Sequence, residues 1–154
     1  MNAPSPSQTA QPPRPSLLWR LGLAAAFLGL LIVEWLLRLF SYRRVCALLV
    51  MTSPRPDASR ADRARALAYG RLINKAGKRL PNITCLRRSL LVWWMLRWAR
   101  LPSVLKIAVK HSGGTTSHSW VEHDGIVIND APDIALLYPI VFSDVLNPEE
   151  LARS

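Results

Sequence analysis

Residues 84–100 have the sequence TCLRRSLLVWWMLRWAR, and residues 104–130 have the sequence VLKIAVKHSGGTTSHSWVEHDGIVIND. In the first segment, Leu86, Leu90 and Trp93 recur at helical spacing, which predicts a helix with a wide apolar face. In the second segment, apolar and polar residues alternate, which predicts half-buried strands joined by turns. Together the two segments predict an α+β domain in which a small antiparallel sheet packs on this helix.

The composition limits the class of protein. The chain has 154 residues, of which 50% are hydrophobic, so it can bury a core. It carries 20 Lys and Arg residues against 10 acidic residues, a net charge of +10. This charge favours nucleic acid, anionic lipid or an acidic peptide as partner, without choosing among them. Two cysteines exclude a disulfide-dense secreted scaffold and a zinc site built from cysteines alone.

The chain before the quoted segments is expected to be mostly helical. Residues 1–16 are polar and proline-rich, which predicts a disordered tail in front of a single domain over residues 17–154. The other predicted elements are a helix over 17–40, a short helix over 41–51, a basic helix over 57–79 and an irregular or short-helical stretch over 131–154. Asp57 and Ser59 are the candidate N-caps of the basic helix.

The apolar residues 17–40 leave two interpretations open. Only 13 uncharged residues lie between Arg20 and Glu34, fewer than the roughly 20 of a membrane span, which favours a buried helix. Glu34 and Arg38 then share one polar edge of that helix. Trp19 and Trp35 instead favour contact with two membrane interfaces. We therefore expect a cytoplasmic protein, with membrane association as the alternative.

Cys85 is the candidate nucleophile because it falls in the first turn of the predicted helix. Thr84 is a residue type that favours the N-cap position, and the unpaired amides and dipole at a helix N-terminus stabilise a thiolate. Arg87 and Arg88 are expected to add positive potential. Cys46 lies inside an apolar helical run, so we expect it to be structural.

His118 and Asp130 are expected to face each other across a hairpin. A two-residue loop over residues 124–125 would place His118 opposite Ala131, whereas a three-residue loop over residues 123–125 places it opposite Asp130. Glycine suits the third position of the longer loop, and glycine stands there. We therefore predict the three-residue loop, with the two Cβ atoms about 4.5–5.5 Å apart.

These residues form a set suited to acyl transfer. The imidazole of His118 takes the thiol proton, the thiolate of Cys85 attacks a carbonyl, and Asp130 orients the ring. Water releases the acyl group in a hydrolase and an amine releases it in a transferase, and the residues leave both open. A zinc site that adds His111 and His123 is disfavoured, because the ligand spacings match no common pattern.

The segment over residues 80–111, LPNITCLRRSLLVWWMLRWARLPSVLKIAVKH, followed by SHSWVEHDGIVIND over residues 117–130, resembles the transglutaminase-like cysteine proteases of lasso-peptide biosynthesis. In that family a Cys-Leu-x-Arg helix start precedes a His-Ala-Trp-Val-Glu strand, a Gly turn and an Asn-Asp pair. The resemblance implies a papain/transglutaminase-like α+β fold and removal of the leader from a ribosomally made precursor peptide. It also implies Cys85 as nucleophile, His118 as base and Asp130 as the third member.

The resemblance implies partners as well. The family works with a leader-recognition domain, fused or separate, and with an ATP-dependent cyclase that closes the macrolactam ring. The residues before the catalytic part leave no room for an extra domain of about 80 residues, so we expect a separate leader-recognition protein. Leu101, Ala108 and Ser119 depart from the family pattern, which affects the substrate pocket and spares the catalytic positions.

We expect no cofactor, no metal and no nucleic-acid partner. Two alternatives stay open. One is a transglutaminase-like acyltransferase or amidase that acts on another peptide. The other is a basic protein that binds a membrane surface or nucleic acid without catalysis.

Overall fold

The computed structural model describes residues 16–111, 115–138 and 140–141. Its elements, in chain order, are α1 (Leu17–Leu39), α2 (Tyr42–Met51), α3 (Arg63–Gly77), α4 (Cys85–Trp98), β1 (Val104–His111), β2 (Thr115–His123), β3 (Ile126–Val127), α5 (Ile134–Leu137) and β4 (Ile140–Val141). The prediction of an α+β chain with helices first is confirmed. Residues 1–15 of the predicted tail and residues 142–154 of the predicted last stretch lie outside the described residues.

The sheet has four strands in the order β3-β2-β1-β4, and each paired neighbour runs antiparallel. Leu105 pairs with Val121, and both side chains pack on the helical layer that includes α4. Ala108 pairs with His118 on the opposite face, where Ile134 of α5 packs against Ala108. Strand β4 lies in the region that we predicted to be irregular or short-helical, so that prediction is wrong there, whereas the short helix α5 agrees with it.

The hairpin between β2 and β3 contradicts the predicted register. His123 pairs with Ile126, so the loop contains two residues, Asp124 and Gly125, instead of three. Both loop residues have positive φ, 48° and 72°, which is the geometry of a type I′ turn. This turn matches the right-handed twist of the strands, and an Asp-Gly pair is suited to it. The three-residue loop was predicted because Gly125 stands at its third position. Glycine suits the second position of a two-residue turn equally well, so Gly125 alone does not separate the two loops.

Helix α1 buries one face and exposes the other. Ala26, Leu30 and Val33 are buried in the core, and a Cβ placed on Gly29 would lie only 2.8 Å from the Leu91 side chain of α4. An added Cβ at this position would therefore force the Leu91 side chain to shift. Glu34 accepts a hydrogen bond from Arg38 at 2.7 Å, as the i, i+4 spacing predicts. The prediction of a core helix with a single polar edge holds for this inner face only.

Helix α3 begins later than predicted. Its N-cap is Asp62, whose carboxylate accepts a hydrogen bond from the amide of Arg65 at 3.0 Å. Asp57 and Ser59, the predicted caps, form a separate turn in which Asp57 accepts from the Ser59 amide and hydroxyl. These hydrogen bonds lower the pKa of Asp57. The predicted caps are therefore wrong, because the local Asx turn satisfies the same donors and acceptors before the helix starts.

Candidate active site

Cys85 is the first residue of α4 and is half-buried. Thr84 precedes it as the N-cap in an extended conformation, with φ −77° and ψ 168°. Within the described part of the chain, the Thr84 side chain caps no helix amide and instead accepts a hydrogen bond from Arg87 at 3.0 Å. The first-turn amides around the sulfur are thus left uncapped by the Thr84 hydroxyl.

Two contacts define how α4 runs along β2. The hydroxyl of Ser89 donates to the carbonyl of Ser119 at 2.9 Å, which joins the middle of the helix to the middle of the strand. The carbonyl of Pro102, just beyond the helix, contacts Nδ1 of His123 at the strand's end at 2.6 Å. The helix and the strand therefore run parallel. Cys85 lies one turn before Ser89, toward the half of the strand that begins with Thr115.

His118 and Asp130 are joined directly. Nε2 of His118 lies 2.6 Å from Oδ2 of Asp130, and the two side chains are only 20% and 25% exposed. A carboxylate oxygen accepts hydrogen bonds, so Nε2 carries the ring proton and Nδ1 is left as the basic nitrogen. The second carboxylate oxygen accepts from the amide of Ala131 at 2.8 Å, which holds Asp130 in place.

This contact forms although the register that we expected to produce it is wrong. Strand β3 ends at Val127, and the next three residues bend instead of continuing the ladder. The amide of Ile128 still donates to the carbonyl of Val121 at 2.9 Å, which continues the observed register by one residue. The bend after this point brings Asp130 to the imidazole. The contact therefore results from the change in chain direction at residues 128–130 and not from strand pairing.

Asn129 holds this bend and was missed by the sequence reasoning. Its side chain is buried, accepts from the amide of Val121 at 2.8 Å and donates to the hydroxyl of Ser89 at 2.9 Å. Its carbonyl accepts from the side chain of Asn74 on α3 at 2.8 Å. The residue next to Asp130 thus connects β2, α3 and the second turn of α4. An available signal was the amide side chain at the end of an apolar strand, beside the candidate acid.

Two aromatic rings flank His118. The Tyr138 ring centroid lies 5.2 Å from the imidazole and the Trp120 centroid 6.4 Å from it, with interplanar angles of 24° and 26°. The indole is buried and donates to Glu122 at 2.8 Å, so its position is fixed. Tyr138, beyond α5, had no role in the sequence analysis, because nothing in its spacing links it to the strand. Both rings thus lie beside the His118 imidazole, whose side chain is 20% exposed.

The charges around Cys85 differ from the expectation. Arg87 forms an ion pair with Glu34 of α1, which also pairs with Arg38, so its charge is only partly compensated. Arg88 lies across Gly77 of α3, where an added Cβ would be 2.6 Å from the arginine Cδ. Glu34, an acid distant in sequence, therefore offsets part of the positive potential that was expected from Arg87.

Cys46 has the surroundings of a structural thiol. It is fully buried, and it hydrogen-bonds with the side chain of Tyr42. Burial raises the pKa of the Cys46 thiol to about 11, so the group stays protonated at neutral pH. Burial also raises the pKa of Tyr42. Of the two cysteines, only Cys85 is partly accessible.

His123 is occupied by the backbone. Its Nε2 accepts from the amide of Asp62 at 3.2 Å, so Nδ1 carries the proton and donates to Pro102. It ends β2 instead of belonging to the turn, contrary to the three-residue loop. Among the side chains that the structure describes, no three His, Cys, Asp or Glu residues are grouped to hold a metal ion.

The arrangement combines an oriented base with a partly accessible thiol on neighbouring elements. In the described residues, no hydrogen bond joins the sulfur of Cys85 to His118. The structure thus brings His118 and Asp130 together, and it places Cys85 on the helix that packs beside β2, the strand of His118. Such a helix N-terminus can stabilise a thiolate or an oxyanion through its amides.

The comparisons with known proteins agree with this arrangement at the level of a superfamily. No curated protein and no solved structure matches the chain significantly. The family model of the transglutaminase-like superfamily matches residues 29–142, a range that includes Cys85, His118 and Asp130. Members of this superfamily are typically cysteine-dependent enzymes. The chain belongs to the transglutaminase-like superfamily.

Proposed function

We propose that this chain is a cysteine peptidase that removes the leader from a ribosomally synthesised precursor peptide during lasso-peptide maturation. The observation that carries the catalytic part is the 2.6 Å contact between His118 and Asp130, on the strand that packs beside the helix of Cys85. The lasso-peptide assignment is finer than the superfamily match and rests on the resemblance of the Cys-Leu-x-Arg and His-x-Trp-Val-Glu motifs.

In the proposed reaction, Nδ1 of His118 takes the proton from the Cys85 thiol. The thiolate then attacks the scissile carbonyl carbon, and the tetrahedral oxyanion is stabilised by first-turn amides of α4. The imidazolium, held by Asp130, returns the proton to the leaving amine as the C–N bond breaks. Water, deprotonated by the same imidazole, releases the leader from the thioester. The first step requires the sulfur of Cys85 and the ring of His118 to come within hydrogen-bond distance of each other.

We further propose a separate leader-recognition protein and an ATP-dependent macrolactam cyclase as partners. Both follow from the family resemblance. The net charge of +10 would favour an acidic leader or an acidic partner surface.

Mass spectrometry of a precursor peptide from a neighbouring reading frame tests the peptidase proposal. We expect the full chain, with its recognition partner added, to cut the precursor between leader and core. Cys85→Ala should abolish cleavage and keep the fold, while Cys46→Ser should keep both. Full turnover by Cys85→Ala would remove it as the nucleophile, and loss of activity only in Cys46→Ser would transfer that role.

Acyl transfer is the second candidate, because superfamily membership suggests either protease-like or acyltransferase activity. The two share the thioester and differ in the group that resolves it. The same assay with an added primary amine separates them. A product heavier by the amine minus water, in place of the free acid, identifies a transferase.

A further inference from the structure

The outer face of α1 is an unbroken apolar surface. The residues that define this apolar stripe are Leu17, Leu21, Leu28, Ile32, Trp35 and Leu39, all of them exposed. Leu21, Leu28 and Trp35 remain 59%, 60% and 58% exposed, although each is large and apolar. Their spacing of three, four or seven residues aligns them along one side of the helix, over about 33 Å. An exposed apolar surface of this length marks an interaction site.

The surroundings of the stripe are basic. Residues 17–51 contain four arginines and one acid. That acid, Glu34, is only 12% exposed and is paired with Arg38 and with Arg87 of α4. Arg20, Arg43 and Arg44 are exposed. Helices α1 and α2 therefore both expose positive side chains, and α1 exposes the apolar stripe as well.

A groove lies between the N-terminal part of α1 and α3, and its lining residue Leu18 directly follows Leu17 of the stripe. It has a volume of about 480 Å³, and its lining includes the apolar residues Leu18 and Leu72 and the cations Arg71 and Lys75. The ammonium of Lys75 lies 4.4 Å from the ring centroid of Trp19, which positions the charge at the groove wall. An apolar floor with two cations beside it suits a ligand that has an anionic head and an acyl chain.

The helix is long and apolar enough to cross a membrane by length and composition, but its packing favours a position on the surface. Its inner face is buried against the rest of the domain, with Gly29 close to Leu91. Glu34 is also tied to Arg87. A spanning α1 would have to leave these contacts, or carry the charged helix α4 into hydrocarbon, and both are costly. A twofold dimer through the stripe would instead bring two copies of the basic rim close together.

We propose that α1 docks in the plane of an anionic phospholipid bilayer, with the apolar stripe at the boundary between headgroups and acyl chains. The exposed arginines contact lipid phosphates, and the groove with Arg71 and Lys75 receives one headgroup. This inference does not depend on the proposed peptidase activity.

Co-sedimentation of the full chain with large unilamellar vesicles tests the proposal. We expect binding to vesicles that contain phosphatidylglycerol and much weaker binding to pure phosphatidylcholine. Raising the salt from about 0.1 M to about 1 M should weaken binding, because it screens the arginines. Equal binding to both vesicles would overturn the anionic requirement, and no binding to either would overturn the docking surface.

Variants locate the contact. Leu28→Glu should weaken vesicle binding at least about tenfold. Burial of the leucine side chain in the bilayer contributes about a tenfold gain in affinity, and the introduced carboxylate is repelled by the anionic lipid. Lys75→Glu should also weaken it, through the groove. Leu136→Glu is the matched control, because Leu136 is 84% exposed on α5, away from the stripe. Binding that survives Leu28→Glu, or that is lost equally in Leu136→Glu, would contradict the assignment.

Two further measurements exclude the competing occupants. Release of the bound protein by alkaline carbonate is expected, whereas retention in the bilayer would show that α1 spans it. Light scattering without lipid should give a monomer, and a dimer broken by Leu28→Glu would assign the stripe to a second copy.

Thermal unfolding of each variant should match the parent, because the altered side chains are exposed. Peptide cleavage in solution by Leu28→Glu should stay unchanged, which separates this test from that of the proposed function.

Discussion

Replacement of Asn129 tests the polar connection behind the candidate site. Asn129→Ala removes the acceptor for the buried amide of Val121 and the donor to Ser89. A buried donor left without a partner costs about 1–3 kcal/mol, and the lost bond to the serine about 1 kcal/mol. We therefore expect the free energy of unfolding to fall by about 2–4 kcal/mol, a large share of the roughly 5–15 kcal/mol typical of a domain.

Urea denaturation followed by circular dichroism measures this change, and an unchanged slope would show that both variants unfold from comparable states. Asn74→Ala is the matched control. It removes one hydrogen bond to the carbonyl of Asn129, and the Oδ1 atom of Asn74 is buried without a partner among the described residues. We expect the control to change stability by no more than about 1 kcal/mol. The reasoning is refuted if Asn129→Ala costs less than about 0.5 kcal/mol, or if both variants cost the same.

Three other perturbations give separate outcomes. Asp130→Asn keeps a hydrogen-bonding group but loses the charge that orients the imidazole, so peptide cleavage should slow by about 10²–10⁴-fold, and an unchanged rate would remove Asp130 from the site. Burial raises the pKa of Cys46 to about 11 from 9.0, so the unfolded chain loses that proton first. Stability measured in urea should therefore fall between about pH 9 and pH 11, with a shallower slope in Cys46→Ala. Gly70→Ala would overlap the carbonyl oxygen of Ile128 and should cost about 1–3 kcal/mol in thermal unfolding. Gly77→Ala meets only a movable side chain and should cost less.

The succession of elements followed from local patterns. Helical spacing after Cys85 and alternation after Val104 predicted α4 and the strands, because side-chain periodicity follows directly from backbone geometry. The caps of α3 were predicted wrongly, because Asp57 and Asp62 are chemically equal candidates and only the local turn around Ser59 separates them. Burial on α1 was predicted for one face, and the exposure of the other depends on how many neighbours the fold supplies.

Part of the candidate site was accessible from the residue types alone. The pairing of His118 with Asp130 was predicted and is present, yet the register proposed to cause it is wrong. A two-residue turn shifts the pairing by one residue and so moves every side chain to the other face. The early end of β3 and the hydrogen bonds of Asn129 offset that shift by bending the chain back. The early end of β3 has no signature in the sequence periodicity, whereas the amide side chain beside the candidate acid was a local signal for the hydrogen bonds of Asn129.

The sequence alone specified which chemical groups are present: a thiol in the first turn of a helix, an imidazole and a carboxylate near strand ends, and a cationic, apolar N-terminal region. These properties are local, since they depend on side-chain chemistry and on repeats of two or 3.6 residues. Folding in three dimensions decided which groups meet, because contacts such as Arg87 with Glu34 and Asn129 with Ser89 join residues distant along the chain. Such contacts arise from packing and from the need to satisfy buried polar atoms, which no short segment specifies.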